Sequence, residues 1–152
     1  VPKIHETITI NKPRPAVFAF AHSQKKRLLW DSFSKDFQYL NSASRADPGV
    51  IARTRMWHGL TMDVEYISFH EPAVAAMKMV RGPFFFRKFA GSWRFDDIGD
   101  QRTRVHFIYH FQSRWPRLRF AVDYALRLAI SKDVRRRLRD LKNALETPAI
   151  AG

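Results

Sequence analysis

His58, Tyr66 and Tyr109 are the side chains that the strand pattern places best to do chemistry inside this protein. An imidazole titrating near neutrality and phenols that donate hydrogen bonds suit carbonyl polarisation, or the proton transfers of an aldol cyclisation or dehydration. The same residue types also line pockets that only bind, so catalysis is one of two readings. Glu6 shares a strand face with Ile4 and Ile8. Buried there, its pKa would rise; solvent or an arginine partner would leave it an ordinary strand-end acid. His106 and His110 share a strand face but stand far apart, opposite Phe107 and Tyr109, which makes them outer-face residues and not a metal pair. The chain has no cysteine, which excludes thiolate zinc sites, cysteine nucleophiles and disulfides. No glycine-rich loop joins a strand to a helix, so the usual phosphate cradle is missing. Neither a metal nor a cofactor is expected.

Charge supplies a second chemistry. Lys and Arg number 27 against 14 Asp and Glu, a formal net charge of +13, which favours contact with something anionic. Phe84, Phe85 and Phe86 sit in a turn bracketed by Arg81, Arg87 and Lys88. Rings flanked by cations suit an anionic membrane, with the rings in the acyl boundary and the cations on phosphate. The alternative is that the phenylalanines open the next strand and cap the core. The basic stretch 135–142 lacks the interleaved exposed aromatics that stack single strands, so nucleic acid is not the expected partner. No run of about eighteen apolar residues and no signal-peptide pattern occurs. The expectation is a cytoplasmic protein, with peripheral contact at an anionic membrane as one of the two readings of the phenylalanine turn.

A core must position these groups, and 152 residues with 45% hydrophobic content suffice for one domain over 1–152. Residues 3–10 alternate, with Ile4, Ile8 and Ile10 on one face, as in a half-buried strand. Pro15 then suits the start of a short helix carrying Val17, Phe18, Phe20 and Ala21, and Ser23 can cap a second one carrying Leu28, Leu29 and Trp30. Strand patterns follow at 37–44, 50–57, 62–70, 74–80, 87–96 and 102–113. Turn signals such as Asp47-Pro48-Gly49 and Gly99-Asp100 separate them, which favours an antiparallel meander.

Residues 117–146 contain neither glycine nor proline and carry Leu118, Val122, Ala125, Ala129, Val134, Leu138, Leu141 and Leu145 at helical spacing. Phe120, Ala121, Tyr124, Leu126, Leu128 and Ile130 add apolar groups to the first half, which is expected to be covered on more than one side. Lys132, Arg135, Arg136, Arg137, Arg139 and Lys142 surround the stripe in the second half, which is expected to be amphipathic with a solvated basic face.

If strand 50–57 folds back near Gly59, Arg53 and Arg55 share a solvent face with Asp63 and Glu65 as cross-strand pairs. Ala52, Thr54, Met56 and His58 then point inward with Met62, Val64, Tyr66 and Ser68. The last strands add Phe89, Gly91, Trp93 and Phe95, and Val105, Phe107, Tyr109 and Phe111, to one face. An inner face this aromatic either fills its own interior or leaves an apolar cavity.

Ile8-Thr9-Ile10-Asn11-Lys12-Pro13 before Val17-Phe18, Leu29-Trp30-Asp31 after the second helix, and Thr103-Arg104-Val105-His106-Phe107 entering the last strand resemble the START-like (SRPBCC) superfamily. The likeness is to its polyketide cyclase/dehydrase and lipid transport branch. It implies an α+β helix-grip fold, a curved antiparallel sheet of about seven strands around a long C-terminal helix, with two short helices after the first strand and an apolar pocket inside. The superfamily has no shared catalytic signature, so no catalytic residue carries over. The pocket is expected to hold a hydrophobic small molecule or lipid, for transport or sequestration. The alternative is a cyclase/dehydrase-type enzyme acting on an aromatic or polyketide-like substrate. The expected lining is Trp30, Met56, Val64 and Tyr66, then Trp93, Phe95, Phe107, Tyr109 and Phe111, with Val122 and Leu126 from the helix. Gly59, Leu60, Phe84, Phe85, Phe86 and Trp115 are expected at the entrance, with Arg117, Arg119 and Phe120 on the same rim. The start of the long helix, beside Arg114 and Arg117, would favour an anionic head through its free N–H groups and dipole.

Overall fold

The computed structural model describes residues 3–115 and 117–147, without the side chain of Arg119, so the expected rim position of that arginine lies outside the described residues. β1 (Lys3–Ile10) leads to α1 (Arg14–Ala21) and α2 (Gln24–Trp30). Next come β2 (Ser34–Tyr39), β3 (Ile51–Met56), β4 (Thr61–His70), β5 (Val74–Arg81), β6 (Phe86–Gly99), β7 (Arg102–Ser113) and α3 (Arg119–Glu146). Short turns keep each successive strand pair antiparallel, and β1 pairs with β7, giving one sheet in the order β1-β7-β6-β5-β4-β3-β2. The sheet curls, and α3 packs on β1 and β7. This is the α+β helix-grip arrangement expected from the sequence.

Local signals explain most element boundaries. Pro15 occupies the first turn of α1, where its missing N–H costs nothing, and the Ser23 hydroxyl accepts from the Lys26 N–H at 3.4 Å to start α2. Arg53 and Asp63 stand directly opposite each other and form a bidentate pair at 2.8 and 2.9 Å. Arg55 faces Thr61 and Glu65 faces Ile51, so the other expected charge pair is offset.

Some expectations are corrected. β2 starts three residues before the 37–44 pattern and ends five residues before its end, where Asn41 and Ser42 adopt φ of 59° and 62°. A register shift between Tyr66 and Ser68 brings Phe69, not Ser68, into the core, with its ring 5.8 Å from Tyr66 and 5.2 Å from Phe18. In α2 the expected pattern holds at Trp30, which is buried, but Leu28 and Leu29 are exposed and Arg27 is buried in their place. The first half of α3 is not wrapped on several sides, since Phe120, Tyr124 and Leu128 at i, i+4 and i+8 are 86%, 65% and 54% exposed. In its second half Arg137, expected in solvent, is 4% exposed.

Candidate functional site

The inner faces of β3 to β7 and one face of α3 enclose an apolar cavity of about 220 Å³. Along α3 the lining residues are Leu126, Ala129, Ile130, Asp133, Val134 and Arg137, a spacing of three and four that presents one side of the helix to the sheet. The sheet contributes Met56, Val64, Tyr66, Phe89, Trp93, Phe107 and Tyr109 among others. Its depth depends on a gap in the side-chain layer. A Cβ on Gly91 would lie 2.5 Å from the Tyr109 ring, so the ring rests where the glycine leaves room.

Of the expected lining, Met56, Val64, Tyr66, Trp93, Phe107, Tyr109 and Leu126 face this cavity. Trp30, Phe95, Phe111 and Val122 do not. Trp30 stands behind Trp93, edge to face at 6.3 Å; Phe95 packs on Phe18; and Phe111 backs Phe86, so these three rings fill the core behind the wall. Val122 lies one turn before the first lining residue of α3. At the expected entrance, Phe85 and Phe86 line the cavity, whereas Gly59, Leu60, Phe84 and Trp115 stand outside it. Phe84 is 69% exposed and rests against Phe85 and Trp115. Phe86 opens β6 and is buried, as the strand reading of that turn expected.

His58 and Trp57 mark the solvent end, and Asp133 is half-buried across from them. Burial raises the Asp133 pKa, with His58 and then Arg137 opposing the shift. Thus His58 lines the mouth, while Tyr66 and Tyr109 lie deeper. Burial also pushes both phenols up, so they enter neutral chemistry as hydrogen-bond donors.

The inner end holds a charged cluster that the sequence reading missed. Asp31, 1% exposed, accepts from Arg27 Nε at 2.9 Å and from Arg137 Nη2 and Nε at 3.1 and 3.3 Å. The Ser34 hydroxyl and the Phe33 N–H complete the carboxylate's partners. Arg137 Nη1 donates to the Tyr109 oxygen at 2.8 Å. Burial opposes the Asp31 charge, but Arg137 and Arg27 hold its carboxyl below the usual range. Burial likewise opposes the Arg137 charge, which Asp31 and Tyr109 outweigh. Aromatic faces enclose both cations. Arg27 lies over Phe37 at 4.6 Å and Trp30 at 5.1 Å, and Arg137 over Phe33 at 4.7 Å and Phe107 at 5.0 Å. A signal was available in the spacing, since Arg137 follows Val134 by three and precedes Leu141 by four, on the buried stripe itself.

Glu6 reaches Arg135 at 3.2 Å, the arginine partner weighed above. On the outer face, His106 bridges His5 and Asp96 at 2.9 Å each. Among the described residues no group of His, Cys, Asp and Glu is arranged to hold a metal, and no helix is long and apolar enough to cross a membrane.

The model of the polyketide cyclase/dehydrase and lipid transport family matches residues 1–146. Among curated protein sequences, none matches the chain. Among solved structures, the Zhui aromatase/cyclase from Streptomyces sp. R1128 is similar at a TM-score of 0.76 and 14% identity, over 97% of this chain and 95% of that one. Ginseng major latex-like protein 151 from Panax ginseng is similar at 0.72 and 12% identity, over 93% and 95%. The di-domain ARO/CYC BexL from the BE-7585A biosynthetic pathway is similar at 0.75 and 11% identity, over 97% of this chain and 48% of that one. At these identities the likeness establishes the fold.

Proposed function

The chain belongs to the polyketide cyclase/dehydrase and lipid transport family, and on that premise we propose that it binds a hydrophobic small molecule or lipid for transport or sequestration. The observation that carries this reading is the cavity of about 220 Å³ between sheet and α3, walled by aromatic and aliphatic side chains and open beside Trp57 and His58. Burial of an apolar ligand against such walls is favourable by roughly 25 cal/mol per Å² of apolar area removed from water. Phe84, Trp115, Leu118 and Phe120 are exposed apolar groups, and Arg81, Arg87, Lys88, Arg114 and Arg117 adjoin them in sequence. In our reading this rim rests on an anionic membrane in the cytoplasm, where the ligand is exchanged.

Native mass spectrometry of freshly purified protein, followed by solvent extraction, tests the reading. A stoichiometric apolar or lipid-like mass is the expected result. An empty chain that also takes up no neutral apolar probe would overturn it.

The second reading is an enzyme of cyclase/dehydrase type. It is favoured by one observation, the Tyr109 phenol held at 2.8 Å by Arg137 with its own proton left to donate to a carbonyl oxygen. Turnover lost in Tyr109→Phe with ligand affinity retained would favour it over the carrier.

A further inference from the structure

Most polar groups that face an apolar pocket are paired within the wall. The inner end of this cavity is paired only in part. Two guanidiniums, Arg27 and Arg137, line it, and a single carboxylate, Asp31, lies between them. All three are at most 5% exposed. The formal balance of the cluster is therefore one positive charge in excess, held away from bulk water.

The donor inventory points the same way. A guanidinium has five N–H donors and no acceptor. Arg137 uses Nε, Nη1 and Nη2 on Asp31 and Tyr109. Arg27 uses Nε on Asp31 and Nη1 on the Ala21 carbonyl. The Tyr109 oxygen accepts from Arg137, which leaves its O–H to donate. What the inner end offers a ligand is thus a set of donors around excess positive charge, inside rings that repel water. The other carboxylate of the wall, Asp133, is one turn earlier on α3 and faces His58, Arg136 and Trp57 as well as Arg137, so it serves the mouth.

We propose that the cavity selects an apolar monocarboxylate, bound with its carboxylate inward on Arg27, Arg137 and Tyr109 and its apolar body along β4 to β7 and α3. This rests on the reading of the cavity as a ligand site. A monoanion matches the single excess charge, whereas a phosphate dianion would leave a negative charge buried. Volume limits the body: an apolar cavity of about 150 Å³ takes a benzene molecule, so one of about 220 Å³ accommodates a bicyclic or a short branched acid. A longer chain would leave through the mouth.

The test compares 2-naphthoate with its neutral isostere 2-naphthamide, both displacing the uncharged bicyclic fluorophore 1-naphthylamine at pH 7. Naphthoate is expected to bind at least tenfold more tightly than naphthamide. In Arg27→Gln, which leaves Asp31 and Arg137 as a neutral pair, the preference should shrink to within threefold. Arg135→Gln, on the exposed face, should keep it. Thermal melts of each variant separate loss of fold from loss of preference, and the wild-type comparison needs no variant. Equal binding of acid and amide by the wild-type protein overturns this proposal and leaves the pocket reading standing. Failure of the fluorophore, the acid and the amide to bind overturns both.

Discussion

The inner end of the cavity and the exposed apolar residues outside it break the usual partition of residues in opposite directions. Inside, Arg27, Asp31 and Arg137 are buried charges. Outside, Phe84, Phe120, Tyr124 and Leu128 keep more than half of their surface in solvent. The inner cluster is supported by its own chain, since each charge has an opposite charge and hydrogen bonds within reach. Much of the apolar surface of Phe84, Phe120, Tyr124 and Leu128 stays in water instead. One departure is compensated within the fold, and the other is left at the surface. Stability measurements should separate them.

The largest effect is expected from Asp31→Ala, which leaves two guanidiniums buried without a counter-charge. Removing one member of a buried ion cluster costs about 3–5 kcal/mol, and urea unfolding should register a loss of that size. A loss below about 1 kcal/mol would mean that water already reaches the cluster, and the contrast with the rim would fail.

Acid should act on the same interior through a different group. His22 is ringed by Phe18, Phe69, Trp93 and Phe95, neither of its nitrogens has a partner among the described residues, and burial followed by the nearby Arg27 lowers its pKa from 6.5 to about 3. The unfolded chain takes up this proton near pH 6.5 and the folded chain only near pH 3, so stability is full above that window and falls as pH drops through it. The loss is on the order of 4 kcal/mol by the bottom of the window. His22→Phe should flatten the decline of the melting temperature between about pH 6 and pH 4. A decline as steep as that of the wild type would assign the acid sensitivity to other groups.

The smallest effect on stability belongs to the rim. Phe84→Ser with Phe120→Ser should change the unfolding free energy by no more than about 0.5 kcal/mol, while co-sedimentation with phosphatidylglycerol vesicles falls at least tenfold. Loss of stability with unchanged vesicle binding would turn the rim into core.

The fold was legible because alternation and helical spacing are local. Ile4, Ile8 and Ile10, the turn at Gly99-Asp100, and the stripe through Val134, Leu138 and Leu141 each declare an element without knowledge of its neighbours. The aromatic lining followed from the same alternation, which is why Trp93, Phe107 and Tyr109 were assigned to the inner face. What escaped depends on tertiary pairing. Arg27 and Asp31 are only four residues apart, but Arg137 lies 106 residues from Asp31, and a lone arginine on a helix reads as solvated until the partner that makes its burial tolerable is known. The exposure of Phe120, Tyr124 and Leu128 was hidden for the converse reason. Apolar spacing reports that a face could be covered, not how much of it is covered in the fold. The Tyr66/Ser68 shift is a third case, since one extra residue in β4 exchanges the faces of everything after it.

Gly91 carries a consequence for divergence among proteins of this shape. The Tyr109 ring lies where a Cβ at position 91 would be, and Tyr109 in turn meets Arg137. Any larger residue at 91 would push the phenol toward α3 and shorten the space in front of the arginines. A glycine at this position thus acts as a ruler, and a single codon there would change the length of the cavity while leaving the arginines at its end untouched.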